Sequence, residues 1–427
     1  MVPMMTWAKS ILMSGAALAV AALPAHAAAD KAAILATYAD VAHAMYGDAL
    51  STAKELQAAV DALIASPGEE TMNAARAAWL AARVPYQQTE GYRFGNAVVD
   101  DWEGKVNAWP LDEGLIDYVA ESYGTSSEDN PLYTANIVAN AQISFGGETV
   151  DASTIDKELI QSLQEAGQIE ANVATGYHAI EFLLWGQDLH GTEAGKGERP
   201  WTDYATGDAC TNGNCDRRAQ YLKAATDLMV DDLAWMTAQW AEGGEARAGL
   251  VNGDPDAGLS TILTGLGSLS YGELAGERMK LGLLLHDPEE EHDCFSDNTH
   301  NSHYYDIVGM QAIYLGSYTR VDGSKVEGTG ITALVAEADP ALDAEMRAKL
   351  DATVAAAAAM KQRAESTEAY DQMIGEGNDE GNAVVQAVID ALTDQTRTIE
   401  KQVAALGLQP ITIEGSDSLD DPAKVFE

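Results

Sequence analysis

A helical periodicity runs along most of the sequence and constrains the fold more than any other feature. Apolar residues recur at spacings of three and four in segments rich in Ala, Leu, Glu and Lys, as in helices that bury one face. Strand patterns are scarce. The helical segments are residues 31–64, 72–89, 151–166, 170–186, 217–240, 259–285, 307–318, 341–365 and 382–406. We therefore predict an all-α fold built from helical bundles.

Chain length and breaks in this pattern predict two domains. A chain of 427 residues is long enough for two or three domains of ordinary size. Stretches rich in Gly, Asp and Pro interrupt the helices at residues 192–214, 243–256 and 323–330. We place the boundary at the second break, which gives helical-bundle domains over residues 28–245 and 246–427.

A short internal match favours a duplication of the bundle. Residues 176–180 and 309–313 share the pattern G-x-x-A-I. A match of this length also arises by chance. If the two domains are related by duplication, the first copy alone carries His178 and Glu181.

Residues 1–27 have the features of an export signal. Lys9 supplies a positive charge, residues 11–23 are apolar, and Ala25-His26-Ala27 fits a small-x-small cleavage site. We predict cleavage near Ala27 and a periplasmic or secreted protein. The mature sequence has no cysteine near the cut site to carry a lipid anchor, and no stretch of the ~20 apolar residues that cross a bilayer.

The three cysteines predict one disulfide. Cys210 and Cys215, in CTNGNC, flank a Gly/Asn turn and can close a small loop in an oxidising compartment. A metal site at this pair would need ligands that the local sequence does not supply. Cys294 is left over, and we interpret it as a buried thiol.

The charge balance excludes one class of partner. Asp and Glu number 67 against 25 Lys and Arg, a formal net charge of −42. Such a chain repels the phosphate backbone, so we predict no nucleic-acid binding. The acidic surface attracts cations. The alternative interpretation is that most acidic residues only keep the protein soluble.

The strongest signal for chemistry is the segment NVATGYHAIEFLLWGQD, which contains His178 and Glu181. Residues three apart lie on the same face of a helix, so this imidazole and carboxylate can reach one ion. The flanking residues are mostly apolar, which predicts burial and makes an unpaired carboxylate costly. Metal binding would offset that cost. The alternative is a salt bridge from Glu181 to an arginine, with His178 bonded to a backbone carbonyl.

A second polar cluster lies in the segment LLLHDPEEEHDCFSDNTHNSHYYD. It comprises His286, Glu289, Glu290, Glu291, His292, Asp293, Asp297, His300 and His303. Oxygen and imidazole donors at this density suit iron or zinc. We interpret residues 289–291 as a solvated acidic loop and favour Asp297, His300 and His303 as candidate ligands.

A third group of polar residues follows one predicted helix. Arg83, Tyr86, Glu90 and Arg93 recur at intervals of three or four. Two arginines in such a stripe can orient buried carboxylates or hold an anionic ligand. The stripe can equally be a structural network.

At these segments the sequence resembles the imelysin family. The likeness lies in the GxHxxE motif of Gly176, His178 and Glu181, in RFG and NAWPLDEGLIDYV from Arg93 onward, in CFSDNTH at 294–300 and in EGSDSLDDP near the C-terminus. The resemblance implies two helical bundles, related by duplication, with the motif facing a cleft between them. It also implies a role in iron handling alongside other iron-uptake components of the cell envelope.

We predict from these observations an exported protein that binds a metal ion, with iron favoured and zinc as the second candidate. The predicted ligands are His178, Glu181, Glu90, Asp297 and His300, and the residues predicted to orient them are Gly176, Arg83, Tyr86 and Arg93. The family is also catalogued among peptidases, so the alternative is a zinc metallopeptidase acting on exported proteins. We favour binding because the sequence contains neither HExxH nor G-x-S-x-G, and no general base is evident.

Overall fold

The structure is a computed structural model that describes Met1 and residues 29–426. The predicted export signal and its cleavage site lie outside residues 29–426. Helices dominate the described chain, which confirms the all-α class. None of the described helices combines the length and apolar character needed to cross a bilayer.

The helices are α1 (Lys31–Ala65), α2 (Glu69–Gln87), α3 (Ala97–Glu103), α4 (Glu113–Ile116), α5 (Lys157–Leu163), α6 (Gly176–Trp185), α7 (Cys215–Trp240), α8 (Glu245–Val251), α9 (Pro255–Ser268), α10 (Leu281–Leu285), α11 (Thr299–Leu315), α12 (Ile331–Ala338), α13 (Pro340–Ser366), α14 (Tyr370–Ile374), α15 (Asp379–Ala405) and α16 (Asp417–Asp420). A π-helix, Leu269–Lys280, joins α9 to α10. Two antiparallel hairpins pair β1 (Gln142–Phe145) with β2 (Glu148–Asp151) and β3 (Ser317–Thr319) with β4 (Lys325–Glu327).

Two groups of helices form the body of the molecule. In the first, α1 packs along α2 and α7, and α6 lies against α2 and α7. In the second, α13 packs against α11 and α15, and the π-helix lies on α15. The groups meet because α2 contacts α11 and α1 contacts α9. The division into domains and their duplication stay predictions.

Local sequence explains several helix ends. Asp339 and Pro340 begin α13, as their order predicts: the Asp339 carboxylate accepts hydrogen bonds from the amides of Ala341 and Leu342 at 3.0 and 3.2 Å, and proline is tolerated in the first turn. Ser66-Pro67-Gly68 separates α1 from α2, as predicted, although no side chain caps α2.

Three predicted helices have wrong bounds. The segment 151–166 contains the end of β2 and a shorter α5, because the Asp156 carboxylate caps the helix by accepting from Leu159 N at 3.0 Å. The segment 170–186 becomes helical at Gly176, whose φ of +82° is incompatible with a preceding helical turn. The helix predicted at 307–318 begins eight residues earlier, as α11, and so includes His300 and His303 of the second polar cluster.

Candidate metal centre

The glycine of the GxHxxE motif fixes the start of α6. Gly176 has φ +82°, and a Cβ atom there would lie 2.4 Å from the carbonyl oxygen of Val106. The next amide, Tyr177 N, donates to that same oxygen at 2.7 Å. A side chain at Gly176 would therefore force the 106 backbone away from α6. The glycine acts by letting two backbone segments approach closely.

All ten residues of α6 are buried, so the two polar side chains of the motif need partners. Glu181 is 0 % exposed and its Oε1 accepts from Ser296 N at 3.0 Å and from Ser296 Oγ at 2.6 Å. Its Oε2 lies 3.2 Å from His178 Nδ1. The structure thus differs from the salt-bridge alternative, because Glu181 is bonded to a serine and to the motif histidine.

Burial shifts both motif residues toward their neutral forms. Desolvation, followed by repulsion from Asp293, raises the pKa of Glu181 well above its usual range. Desolvation and the Arg83 guanidinium lower the pKa of His178 to about 3. His178 is therefore a neutral imidazole at neutral pH, the form that binds metals.

The arginine of the polar stripe on α2 pairs with a different carboxylate. Arg83 NH2 lies 2.7 Å from Asp293 Oδ1, and both side chains are at most 1 % exposed. Asp293 Oδ2 accepts from Asn298 Nδ2 at 2.7 Å and from the Ser302 hydroxyl. Although burial opposes ionisation, Arg83 and these donors hold the pKa of Asp293 below its ordinary value. Asp293 is consequently a buried carboxylate anion.

A second imidazole completes the group. The rings of His292 and His178 meet edge to face with centroids 4.7 Å apart. His292 Nδ1 lies 3.3 Å from Arg83 NH2 and 3.8 Å from Asp293 Oδ1. Desolvation, then repulsion from Arg278 and His178, lowers the pKa of His292 well below its usual value. His292 is also neutral at neutral pH.

His178, His292 and Asp293 each offer a ligand atom, and these atoms all lie within 4.8 Å of one another. The three residues are at most 2 % exposed. Within residues 29–426, His178 Nε2 has no hydrogen-bond partner. Two neutral imidazoles and one carboxylate anion are the charge states in which these side chains ligate metals. We call these three residues the HHD cluster.

Two residues predicted to take part in the site belong to a neighbouring network. Glu90 Oε2 accepts from Arg278 NH2 at 2.7 Å, and Arg278 also lies 2.6 Å from Glu273. Arg93 contacts Asp100 at 3.0 Å and Glu273 at 3.1 Å. Glu90 is therefore neutralised by an arginine of the π-helix, and it is not a member of the HHD cluster.

Two other predicted ligands lie outside the cluster: Asp297 is on the loop that carries His292 and Asp293, and His300 is in the first turn of α11. Asp297 is partly exposed, and burial with repulsion from Asp371 raises its pKa to about 8. His300 Nε2 lies 3.0 Å from Asn301 Nδ2, beside Lys361, and its pKa falls to about 4 through burial and that lysine. His303 packs against the Tyr370 ring at 5.3 Å.

Tyr86 and the three cysteines are further residues singled out in the sequence. The Tyr86 and Tyr177 rings lie 4.8 Å apart, and the Arg83 guanidinium stacks 5.0 Å from the Tyr177 ring. Cys210 and Cys215 form a disulfide that joins the preceding loop to the first residue of α7. Cys294 is a free thiol of intermediate exposure.

The interpretation of residues 289–291 as a solvated loop is wrong for Glu291, which is 1 % exposed. Burial and repulsion from Asp371 raise the pKa of Glu291 well above its usual range, whereas the nearby Thr299 hydroxyl lowers it. Glu289, two residues earlier, is exposed. The chain thus turns inward between these two glutamates and carries His292 and Asp293 into the interior.

The sequence prediction includes His292 and Asp293 in the second polar cluster but does not select them as ligands. A usable signal was present: both immediately precede Cys294 and Phe295, the apolar pair that indicates where the polar loop enters the core. Phe295 packs on Phe182 of α6 with ring centroids 5.3 Å apart. This contact brings the loop to the motif helix.

Several solved structures share this fold, including the following two. A protein of Parabacteroides distasonis assigned as an iron-regulated protein A precursor aligns with 90 % of this chain and 97 % of its own, at 19 % identity and a TM-score of 0.63. An imelysin-like protein from Psychrobacter arcticum aligns with 90 % of this chain and 99 % of its own, at 16 % identity and a TM-score of 0.50.

A comparison with curated proteins found no match to this sequence. The sequence profile of the imelysin family, Peptidase M75, matches residues 42–399. This match covers most of the chain, including both motif residues of α6 and the HHD cluster. The chain therefore belongs to the imelysin family.

Proposed function

We propose that this protein is an exported metal-binding protein that captures iron through the HHD cluster. The proposal rests on the convergence of three buried ligand groups that are in metal-binding charge states. One of them, His178, also has a ring nitrogen, Nε2, with no partner among the described residues. A buried nitrogen in this condition is costly unless something binds it.

The donor set supports iron. Two imidazoles with one carboxylate form the ligand set of many non-haem Fe(II) sites, and the same set also suits zinc. One solved relative is named as an iron-regulated protein A precursor, which is consistent with iron as the cargo. The formal net charge of −42 raises the cation concentration near the protein surface without selecting among cations.

In this proposal Glu181 orients His178 and does not need to bind the metal itself. His178 Nδ1 lies 3.2 Å from Glu181 Oε2 and 3.8 Å from Asp293 Oδ1, while Nε2 has no hydrogen-bond partner among the described residues. Carboxylates commonly hold metal-binding imidazoles in this way. Ser296 in turn fixes the Glu181 carboxylate with two hydrogen bonds. The glutamate of the motif therefore has a positioning role.

The metallopeptidase alternative receives less support from the geometry. His178, His292, Asp293 and Glu181 are at most 2 % exposed, so a polypeptide substrate would reach them only after a large opening. A metal ion needs a far smaller opening. Partners in the cell envelope that deliver or receive iron remain part of the proposal.

Metal analysis tests the proposed function. Protein purified without chelator should carry iron or zinc, and the metal-free form should bind about one Fe(II) per chain. His178→Ala should lower the affinity about tenfold or more. His303→Ala, which removes another buried imidazole outside the cluster, is the matched control and should keep the affinity.

Equal metal affinity in the wild type and in His178→Ala would overturn the proposal. Cleavage of an unfolded protein substrate that disappears in His178→Ala but persists in His303→Ala would replace it with the peptidase alternative. Both assays use the full mature chain.

A further inference from the structure

A small acidic cavity, lined in part by the loop that carries His292 and Asp293, contains four carboxylates. Its volume is about 10 Å³. The carboxylates are Glu113 at the start of α4, Asp188 after α6, and Glu289 and Glu291 in the loop before α11. Such a volume accommodates a single water molecule or a single ion.

The most buried of the four carboxylates faces this cavity without a partner. Glu291 is 1 % exposed, and no described donor lies within 3.5 Å and in hydrogen-bond geometry of either of its oxygens, although the Thr299 hydroxyl is nearby. Glu113 is 6 % exposed, and Gln187 Nε2 lies 3.4 Å from its Oε1, at the long limit for a hydrogen bond. Buried carboxylates are normally paired, hydrogen-bonded or bound to a metal.

Little positive charge balances the cavity. Among the described residues, one salt bridge reaches these four carboxylates. In it, His190 Nδ1 lies 2.8 Å from Asp188 Oδ1. Glu289 is exposed and forms the solvent side, which gives a cation a route of entry.

We propose that this cavity is a binding site for a hard divalent cation, with Ca²⁺ the best match. Four carboxylates from three separate segments supply the all-oxygen, flexible coordination that Ca²⁺ favours. Mg²⁺ fits less well because it requires near-octahedral geometry and retains water, for which so small a cavity has little room. This site is independent of the HHD cluster, which offers nitrogen ligands.

Isothermal titration of the chelator-treated full chain with CaCl₂ tests the proposal. We expect about one Ca²⁺ per chain in the wild type, and about tenfold or greater weakening in both Glu291→Gln and Glu113→Gln. Glu290→Gln is the matched control, since this neighbour does not line the cavity, and it should bind Ca²⁺ like the wild type. Far-UV circular dichroism verifies that each variant is folded.

The result separates this site from the HHD cluster. His178→Ala should keep Ca²⁺ binding even though it is expected to lose iron. Absence of Ca²⁺ binding in the wild type, or equal binding in Glu291→Gln, would overturn the proposal and indicate protonated carboxyl groups around a trapped water molecule.

Discussion

At the scale of single residues, Arg83 controls the charge at the HHD cluster. Its NH2 group lies 2.7 Å from Asp293 Oδ1 and 3.3 Å from His292 Nδ1, so the guanidinium contacts two of the three candidate ligands. A guanidinium and a metal cation compete for the same carboxylate. If the HHD cluster binds a metal ion as proposed, Arg83 therefore stabilises the metal-free state.

Arg83→Met should lower stability in the absence of metal by about 3–5 kcal/mol, because it leaves Asp293 buried without its counter-charge. Added Fe(II) or Zn(II) should recover part of this loss, since a metal ion can neutralise Asp293 in place of the guanidinium. Thermal unfolding with and without metal measures both effects. Arg199→Met is the control: Arg199 is a buried partner of Asp117 at 2.7 Å, and metal should not rescue this variant.

Gly176 gives a second prediction at this scale. Gly176→Ala should destabilise the protein by roughly 3 kcal/mol or more, because strain at φ +82° adds to a clash with the Val106 carbonyl. Gly124→Ala is the control: its φ is +92°, and a Cβ atom there would have no described atom within 4 Å. It should cost about 1–2 kcal/mol. If urea unfolding shows equal losses of unfolding free energy in Gly176→Ala and Gly124→Ala, the close approach of two backbone segments at Gly176 does not explain its role.

At the scale of elements, α3 reaches the arginine network through Glu103. Burial, with repulsion from Glu90 and Glu273, raises the pKa of Glu103 to about 7 even though Arg93 and Arg278 oppose the shift. The folded protein thus binds more protons at Glu103 than the unfolded chain does between about pH 4.5 and pH 7. The contribution of Glu103 to the free energy of unfolding therefore decreases as the pH rises through that window.

Glu103→Gln removes the group whose ionisation opposes folding. The difference in melting temperature, variant minus wild type, should therefore be a few degrees more positive at pH 8 than at pH 5. Thermal unfolding at the two pH values measures the difference. A pH-independent difference would show that Glu103 ionises normally in the folded protein.

The elements also show what sequence can and cannot predict. Helical periodicity identified the long helices correctly because each buries one continuous face, as in α1 and α15. It failed at residues 151–166 and 170–175, where a hairpin and a glycine turn set the boundaries. The motif pair on α6 was predictable because both residues lie on one helix, whereas the His292–Asp293 contribution depends on a loop folding across the chain.

At the scale of the whole molecule, residues on opposite sides of the predicted domain boundary contact each other. Arg83 pairs with Asp293, Glu90 with Arg278, and Asp48 accepts from Tyr318 OH at 2.9 Å. Buried apolar residues from Ile34 to Leu408 form one continuous cluster of described side chains. The two halves therefore depend on each other for burial.

This mutual burial predicts cooperative unfolding. Differential scanning calorimetry of the mature chain should show a single transition, with calorimetric and van't Hoff enthalpies in agreement. Two resolved transitions, each shifted separately by variants in residues 28–245 or 246–427, would instead show that the halves are independent domains.

The central claim is that His292, carried inward by the loop before α11, binds the metal together with His178 and Asp293. The most direct test is the Fe(II) affinity of His292→Ala compared with that of His300→Ala, which removes an imidazole on the same stretch of chain but outside the cluster. We expect His292→Ala to lose about tenfold or more in affinity and His300→Ala to bind like the wild type. Loss of binding in His300→Ala with retention in His292→Ala would contradict it.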